Sequence, residues 1–401
     1  MEHAYQVLIV GGGLVGASLA IALDRAGVRT ALVEATAEAM PAVFDQRNLS
    51  FADATVNALT ALGVLQALKA PSGLIRQIHV SRAGDFGRVR LDARDYGRTQ
   101  FGQVVVARDF GQALETRLQT LTHVTRYRPG RVTAVGPVEG GRRAVDIETP
   151  DGVVRASTAL LVAADGTDSI TRSALGIEAD IHDYRQTLFV ARLQPARAPD
   201  GIAYERLTDS GPTALLPRGD RHYGLVHGVA SGDAEAVAAL DDAAFLSRVQ
   251  SAFGWRAGRF IAVGPRSRYP IRRVVATATT APRAVLVGNA AQTLHPIGAQ
   301  GFNLGLRDAL TLAELVADAA DPGASALLER HVARRREDRS RTLAFSDGLA
   351  RLTSNPSRLL RPLRSLGLLA VDRDAALQAM LAGGAMGYRG DVPALCRGGA
   401  A

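Results

Sequence analysis

Glycines and one acid at fixed spacing near the N-terminus are the first residues here whose arrangement can do chemistry. Gly11-Gly12-Gly13-Leu14-Val15-Gly16 fits the pattern G-x-G-x-x-G. In such a run Gly11 permits a tight turn, Gly13 lets a pyrophosphate approach the backbone, and Gly16 lets helix and strand pack closely. The helix that follows presents free N–H groups to phosphates. Residues 6–10, QVLIV, read as a buried parallel strand, and the helical stretch runs to about Ala26. A second strand, RTALVE, ends on Glu34, about 20 residues on, where a carboxylate accepts from an adenosine ribose. A glycine run alone is weak evidence. Strand, helix, second strand and terminal acid together predict a bound dinucleotide, without separating NAD from FAD.

Two later stretches bear on that choice. Residues 158–164, TALLVAA, read as another buried strand, followed by Asp165-Gly166-Thr167-Asp168-Ser169-Ile170-Thr171-Arg172. This resembles the DGxxSxxR signature of the flavoprotein aromatic hydroxylases. A third strand, AVLVG, leads into Gly288-Asn289-Ala290-Ala291-Gln292-Thr293-Leu294-His295-Pro296, and then Ile297-Gly298-Ala299-Gln300-Gly301-Phe302-Asn303-Leu304-Gly305-Leu306-Arg307-Asp308. That string is similar to the flavin-binding segment of the same superfamily. Its wording looks closest to the ubiquinone-biosynthesis hydroxylases, of the UbiH-like, 2-octaprenyl-6-methoxyphenol hydroxylase type. Phe44-Asp45-Gln46-Arg47, Gly102-Gln103-Val104-Val105 and Ser251-Ala252-Phe253-Gly254-Trp255 extend the resemblance over nearly the whole chain. One departure is Gly298-Ala299, where this branch has the order Ala-Gly.

The resemblance implies FAD as cofactor and NAD(P)H as a transient reductant. It implies a monooxygenase in which dioxygen forms a hydroperoxide at flavin C4a and one oxygen passes to the aromatic ring of a polyprenyl phenol. By position it places Gly11, Gly13, Gly16, Glu34, Arg47, Arg108, Asp165, Gly288, Asn289, Pro296, Gly298, Gln300, Gly301, Phe302 and Asn303 at the cofactor. Arg108 is expected at the pyrophosphate and Arg47 near both flavin and substrate. Arg47 and His295 are the candidate catalytic groups. Residue chemistry agrees: Phe302 to Asp318 has helical composition, and its N-terminus would favour an anionic flavin ring. Asn289 can donate or accept for a ribityl hydroxyl without adding a charge. The alternatives are hydroxylation at another ring position, a soluble phenol as substrate, a flavin reductase or oxidase, and an FAD-binding scaffold of the ubiquinone assembly.

The elements that must position these residues are interleaved along the chain. The expected fold is α/β: a Rossmann-like FAD-binding domain with an inserted substrate-covering β-sheet domain, like p-hydroxybenzoate hydroxylase, and a helical C-terminus. Residues 1–74, 102–178 and 268–345 are assigned to the FAD domain. Residues 75–101 and 179–267, with runs such as LFVARL and RHYGLVHGVA, are assigned to the cover, and 346–401 to the helical end. Only one dinucleotide fingerprint occurs, so the nicotinamide reductant has no domain of its own.

Composition narrows the rest. The 401 residues are 47% hydrophobic and 21% charged, which excludes general disorder. A single cysteine rules out an intrachain disulfide, and the histidines show no metal-ligand spacing, so no metal is assigned. The net charge of +8 is concentrated: residues 330–401 hold 13 Arg against 6 Asp or Glu, giving +7. The basic residues form no nucleic-acid-binding module. In the tail, Leu359, Leu360, Leu363 and Leu366 fall on one helical face with Arg358, Arg361 and Arg364 opposite. That layout fits either an interfacial helix on anionic lipid or leucines packed on the body. The expected partners are a polyprenyl phenol, dioxygen, proteins of a ubiquinone-biosynthesis complex and an anionic membrane surface, with no nucleic acid. The oligomeric state is open. The uncharged run Tyr5–Leu23 lacks a basic flank and is split by glycines, so it is read as neither signal nor span. The expected location is cytoplasmic, with peripheral contact at the inner face of the plasma membrane.

Overall fold

A computed structural model describes residues 3–37, 47–353 and 361–398 of the chain. Phe44, Asp45 and Gln46 of the resemblance, and Arg358, Leu359 and Leu360 of the tail, lie outside the described residues. The first apolar run forms the strand His3–Val10, buried from Val7 onward. It pairs in parallel with Thr30–Val33 on one side and Gly152–Ala163 on the other. Val124–Tyr127 and Ala284–Leu286 extend the sheet in parallel at its two sides. Five strands thus run the same way, and the loops after them gather along one edge, where open α/β sheets bind ligands. An antiparallel hairpin, Arg131–Glu139 and Arg142–Thr149, continues from Gly152–Ala163.

Helices Leu14–Arg25, Ala107–Leu118 and Gln300–Ala317 cover the apolar strands and share one core with them. Phe110, Leu114 and Leu118 are buried, as their spacing requires. Two glycines set how close these layers come. A Cβ on Gly16 would lie 1.9 Å from the Gly11 carbonyl oxygen, and one on Gly305 would lie 2.8 Å from Gly288 Cα. Any larger residue would push a helix off the strand ends that build the site.

A second, nine-stranded sheet stands over this body. It contains Gln77–Arg82, Arg88–Asp92, Ala179–Pro195, Ile202–Thr208, Gly211–Pro217, Tyr223–Ala230, Phe260–Val263, Ser267–Ala276 and Gln292–Thr293. The last two fall inside the stretch 268–345 that the sequence assigns to the FAD domain. Ser267–Ala276 pairs along most of Ala179–Pro195, so the cover extends further along the chain than its composition indicates. A small sheet of Asn48–Ala52, Gly73–Ile75 and Gly102–Val106 joins the two layers.

The C-terminal region is helical: Ser325–Thr353, Arg361–Arg373 and Ala375–Met386. The first of these is fastened to Gln300–Ala317 by a buried charge cluster. Arg307 reaches Asp338 at 2.6 Å, and Arg335 reaches Asp308 at 2.7 Å and Asp338 at 2.5 Å. Burial works to raise the Asp338 carboxyl, but Arg307 and Arg335 outweigh it and hold it below its ordinary value. The second helix corrects the tail expectation. Arg364 points inward and pairs with buried Asp85 at 3.2 Å, whereas Leu363 and Leu366 are 65% and 56% exposed. Helical spacing separates the two faces correctly, but the ion partner decides which one meets the body. Pro362 sits in the first turn, where its missing N–H costs nothing.

The Asp338 cluster yields a stability prediction. Asp338→Asn keeps the shape but leaves two buried guanidinium groups without their shared carboxylate. A loss of about 3–5 kcal/mol is expected from urea unfolding, and an unchanged midpoint would show that the cluster is not holding the helices.

Candidate functional site

Two helix N-termini meet at one large cavity. The helix Leu14–Arg25 starts from Gly13 (φ −64°, ψ −174°), with no side-chain cap and no acid in its first turn. The helix Gln300–Ala317 starts from Ala299, likewise uncapped and without an acid. The free N–H groups and the positive dipole ends of both therefore remain available to an anionic ligand. Gly12, Gly13, Gly298, Gln300, Gly301, Phe302 and Asn303 all line the cavity, whose volume is about 1220 Å³. Gly298 and Ala299 both adopt left-handed backbone, at φ 71° and 51°. The Gly-Ala order noted in the sequence thus puts an alanine in a conformation that a glycine holds more easily.

Other expected residues line the same space. Glu34 lies at one end, its carboxylate accepting from Gly12 N at 2.7 Å and Thr36 N at 2.8 Å. It retains lone pairs for a ligand hydroxyl. Asn289 is exposed to the cavity, and Pro296 lies beside it. Arg47 lines the wall nearer the cover, with its guanidinium 4.3 Å from the Tyr269 ring centroid. Gln300 is 5% exposed, and its Oε1 has no protein hydrogen-bond donor. Asn303 is fully used: Oδ1 accepts from Ala52 N and Thr55 Oγ1, and Nδ2 donates to the Ser50 and Ala299 carbonyls. It ties the small sheet to the helix start.

The remaining expected residues stand behind the wall. Gly11, Gly16 and Gly288 serve the close packing of strands and helices. Asp165 spends both carboxylate oxygens on its own loop, accepting from Ser169 Oγ at 2.5 Å and Thr171 N at 3.0 Å. Ser169 in turn accepts from Arg172 N, and Arg172 donates to the Ala290 carbonyl at 3.0 Å. The whole Asp165–Arg172 run is therefore a brace that positions the Asn289 loop, and of its residues Gly166 lines the cavity. Arg108 is half exposed and pairs with Asp109 at 3.7 Å, while Gly111 of the same helix lines the cavity.

His295 needs a correction as an acid–base candidate. It is 1% exposed, and its Nε2 meets Gln186 Oε1 at 3.0 Å. Its Nδ1 accepts from Ile297 N at 3.2 Å, and its ring abuts Tyr184 edge-on at 4.8 Å. Burial lowers its pKa to about 4, so it is neutral at physiological pH. With both nitrogens engaged inside the protein, it fixes the loop before Pro296.

Three groups had no motif to announce them. Arg128 and Glu115, bonded at 2.8 Å, line the cavity near Glu34, and Arg128 also donates to the Thr36 carbonyl. Glu205 lines it from the cover. Most of that cover is apolar: Ile78, Val80, Leu188, Val190, Ala214, Leu216, Val226 and Ile271 face the cavity, with Arg82, Tyr204 and Tyr269 among the other polar groups of its lining. Leu363, Leu368, Val371 and Leu381 of the C-terminal helices close one side. One region thus suits phosphate and sugar, and the region under the cover suits an apolar ring and chain. The FAD binding domain family matches residues 4–346. The chain belongs to this family. FAD is its cofactor, and its class is that of the FAD-dependent monooxygenases.

Known proteins agree over the full length. The chain is 35% identical to ubiquinone hydroxylase UbiL of Rhodospirillum rubrum over 96% of this chain and 90% of that protein. It is 28% identical to 3-demethoxyubiquinol 3-hydroxylase of Escherichia coli, covering 93% and 96%. In fold it is similar to p-nitrophenol 4-monooxygenase PnpA of Pseudomonas putida, with TM-score 0.79, 18% identity, and coverage of 97% and 99%. The chain's own residues fit FAD: two uncapped helix starts for its anionic groups, Glu34 for a ribose, and the orphan acceptor of Gln300 for a ring N–H.

The glycine turn gives a paired prediction. No protein atom lies within 4 Å of a Cβ built on Gly13, and its backbone angles suit any residue. Gly13→Val should fold normally yet lose FAD, read as flavin absorbance per chain. Gly16→Ala drives a methyl onto the Gly11 carbonyl and should lower Tm even in the apoprotein. Equal behaviour of the two variants would contradict this division of tasks.

Proposed function

We propose that this protein hydroxylates the aromatic ring of a polyprenyl phenol, of the 2-polyprenyl-6-methoxyphenol type, in ubiquinone biosynthesis. The observation that carries the reading is the apolar cover, which continues the FAD cradle into a space for a hydrophobic ring and chain. The full-length relatives, by their names ubiquinone hydroxylases, support it. We take 1–74, 102–178 and 268–345, apart from two strands, as the FAD-holding body, with 75–101, 179–267 and those two strands, Ser267–Ala276 and Gln292–Thr293, as the cover. Gly13 and the start of Leu14–Arg25 would hold the pyrophosphate, Glu34 the ribose, and Asn289 a ribityl hydroxyl. The start of Gln300–Ala317, with Gln300, would meet the flavin ring, and Arg47 would stand between ring and substrate.

Bound FAD, reduced by NAD(P)H, supplies the activation of dioxygen and the oxygen atom that enters the phenol. The chain's residues do the rest. The cover keeps water from the reacting centre and holds the ring over the helix start, and that helix start favours negative charge beside it. No triad or metal is required for this division of labour.

The exposed leucines bear on how such a substrate arrives. Leu363 and Leu366, with Met380 at 60% exposure, lie on the two helices that close the cavity. We infer that this apolar lip, rather than a basic face, meets the membrane surface or a lipid-carrying partner of the biosynthetic complex. No helix among the described residues is long and apolar enough to cross a membrane. Leu366→Glu with Met380→Glu should reduce cosedimentation with liposomes while turnover of a water-soluble phenol persists. Liposome binding equal to wild type would remove the lip from the account.

Analysis of quinone intermediates in a strain lacking the protein tests the reaction itself. A phenol one hydroxyl short of the next intermediate should accumulate and vanish on complementation. An unchanged intermediate profile would overturn the assignment.

A further inference from the structure

The face of the cover sheet that looks into the cavity carries a carboxylate, Glu205, with no hydrogen-bond or ion-pair partner among the described residues. In the strand Ile202–Thr208, Ala203, Glu205 and Leu207 line the cavity by strand alternation. Of the residues between them, Tyr204 also touches the cavity. Glu205 itself also borders a smaller pocket on the other face with His79, Arg206 and Arg256. Tyr204 packs against Phe253, and Arg206 donates to the Ala252 carbonyl and Ser81 Oγ. Opposite Glu205 across the sheet stand Val80 and Ala214, both in the cavity wall. A carboxylate between these neighbours is costly unless a ligand answers it. Burial is what acts on Glu205, and it pushes the pKa up to about 7.

The cations nearby are committed elsewhere. Arg82, on the adjacent strand and in the same cavity lining, pairs with Asp85 and Asp209, and Arg364 of the C-terminal helix, also in the lining, pairs with Asp85. The strand Gly211–Pro217 carries no charge, and His79 and Arg256 bond to each other on the opposite face. Glu205 is thus a basic oxygen on an apolar wall, inside the space that the proposed function gives to a phenol.

We propose that Glu205 accepts the hydroxyl hydrogen of the bound phenol and takes its proton as the ring is oxidised. The inference rests on the hydroxylase reading. A phenol of pKa about 10 does not yield its proton to such a carboxylate in the resting complex, so transfer accompanies attack. The ring supplies the electron pair of the new C–O bond while the O–O bond of the dioxygen-derived donor breaks, its pair leaving on the second oxygen, and the phenolic O–H electrons become a C=O bond. The O–H proton moves to a Glu205 oxygen. The hydrogen on the attacked carbon then leaves as a proton, which passes through solvent to the departing oxygen on its way to water, and the ring becomes aromatic again as the Glu205 proton returns to the phenol oxygen. Overall, phenol, dioxygen, NAD(P)H and a proton give the hydroxylated phenol, NAD(P)⁺ and water. Because the hydroxyl is held at one point of the wall, Glu205 also helps decide which ring carbon is presented.

The test uses the holoenzyme and a water-soluble 2-alkyl-6-methoxyphenol. Wild-type kcat should rise with pH through about 7 as Glu205 loses its proton. Glu205→Gln should cut hydroxylation by about 100-fold or more, flatten that rise, and divert NAD(P)H consumption to hydrogen peroxide. FAD content should stay at one per chain, which certifies the fold. Glu205→Asp should restore part of the rate together with the pH dependence, and it serves alone if the Gln variant does not fold. A Gln or Asp variant with wild-type rate and coupling overturns the role of Glu205, as does a Gln variant that keeps the pH rise. Absence of hydroxylated product from the wild-type enzyme would overturn the hydroxylase reading instead.

Discussion

An α-helix cannot satisfy its first N–H groups from within, and this chain leaves two helices in that condition at one cavity. Neither Leu14–Arg25 nor Gln300–Ala317 has a side-chain cap or an acidic first turn. Much of the remaining architecture serves to bring these two ends together. The parallel sheet aligns the strand ends, and Gly16 and Gly305 remove the atoms that would hold the helices away. The Asp165–Arg172 brace fixes the Asn289 loop, and the Arg307–Asp338–Arg335–Asp308 cluster fastens the second helix from behind. An anionic cofactor with several hydrogen-bonding edges completes what the backbone leaves open.

Over this polar cradle the cover sheet supplies the opposite condition. Its inner face is mostly aliphatic, which makes each polar group on it matter more. Arg47 beside Tyr269 and Glu205 between Val80 and Ala214 are such groups. Flavin chemistry of this class needs little from side chains by way of bond-making. It needs an oriented ring and a dry space, and a layered fold with a cavity between the layers provides both.

The cradle was legible in the sequence because its signals are local. Glycine spacing, the apolar runs before it, Glu34 at a strand tip and the helical composition after Phe302 each depend on residues within a few turns. What escaped depended on partners far along the chain. His295 has the right chemistry for an acid or base, yet Gln186, more than a hundred positions away, buries and engages it. For Arg364, amphipathicity defines two faces without saying which one meets the body. Asp85, 279 positions away, settles it. Asp165 stands behind the cavity wall, where it holds Ser169 and Thr171, an arrangement that its motif alone does not announce. Glu205 sat in plain alternation with Ala203 and Leu207, but that pattern carries meaning only once the cavity behind it is known.

In the proposed function, the cradle and its dry cover act together to place oxygen from dioxygen into a phenol ring. Turnover of a soluble alkyl methoxyphenol under isotopically labelled dioxygen, in ordinary water, tests it most directly. The account predicts one labelled oxygen in each molecule of hydroxylated product. Unlabelled product, or NAD(P)H consumption that yields hydrogen peroxide and no hydroxylated phenol, would contradict it.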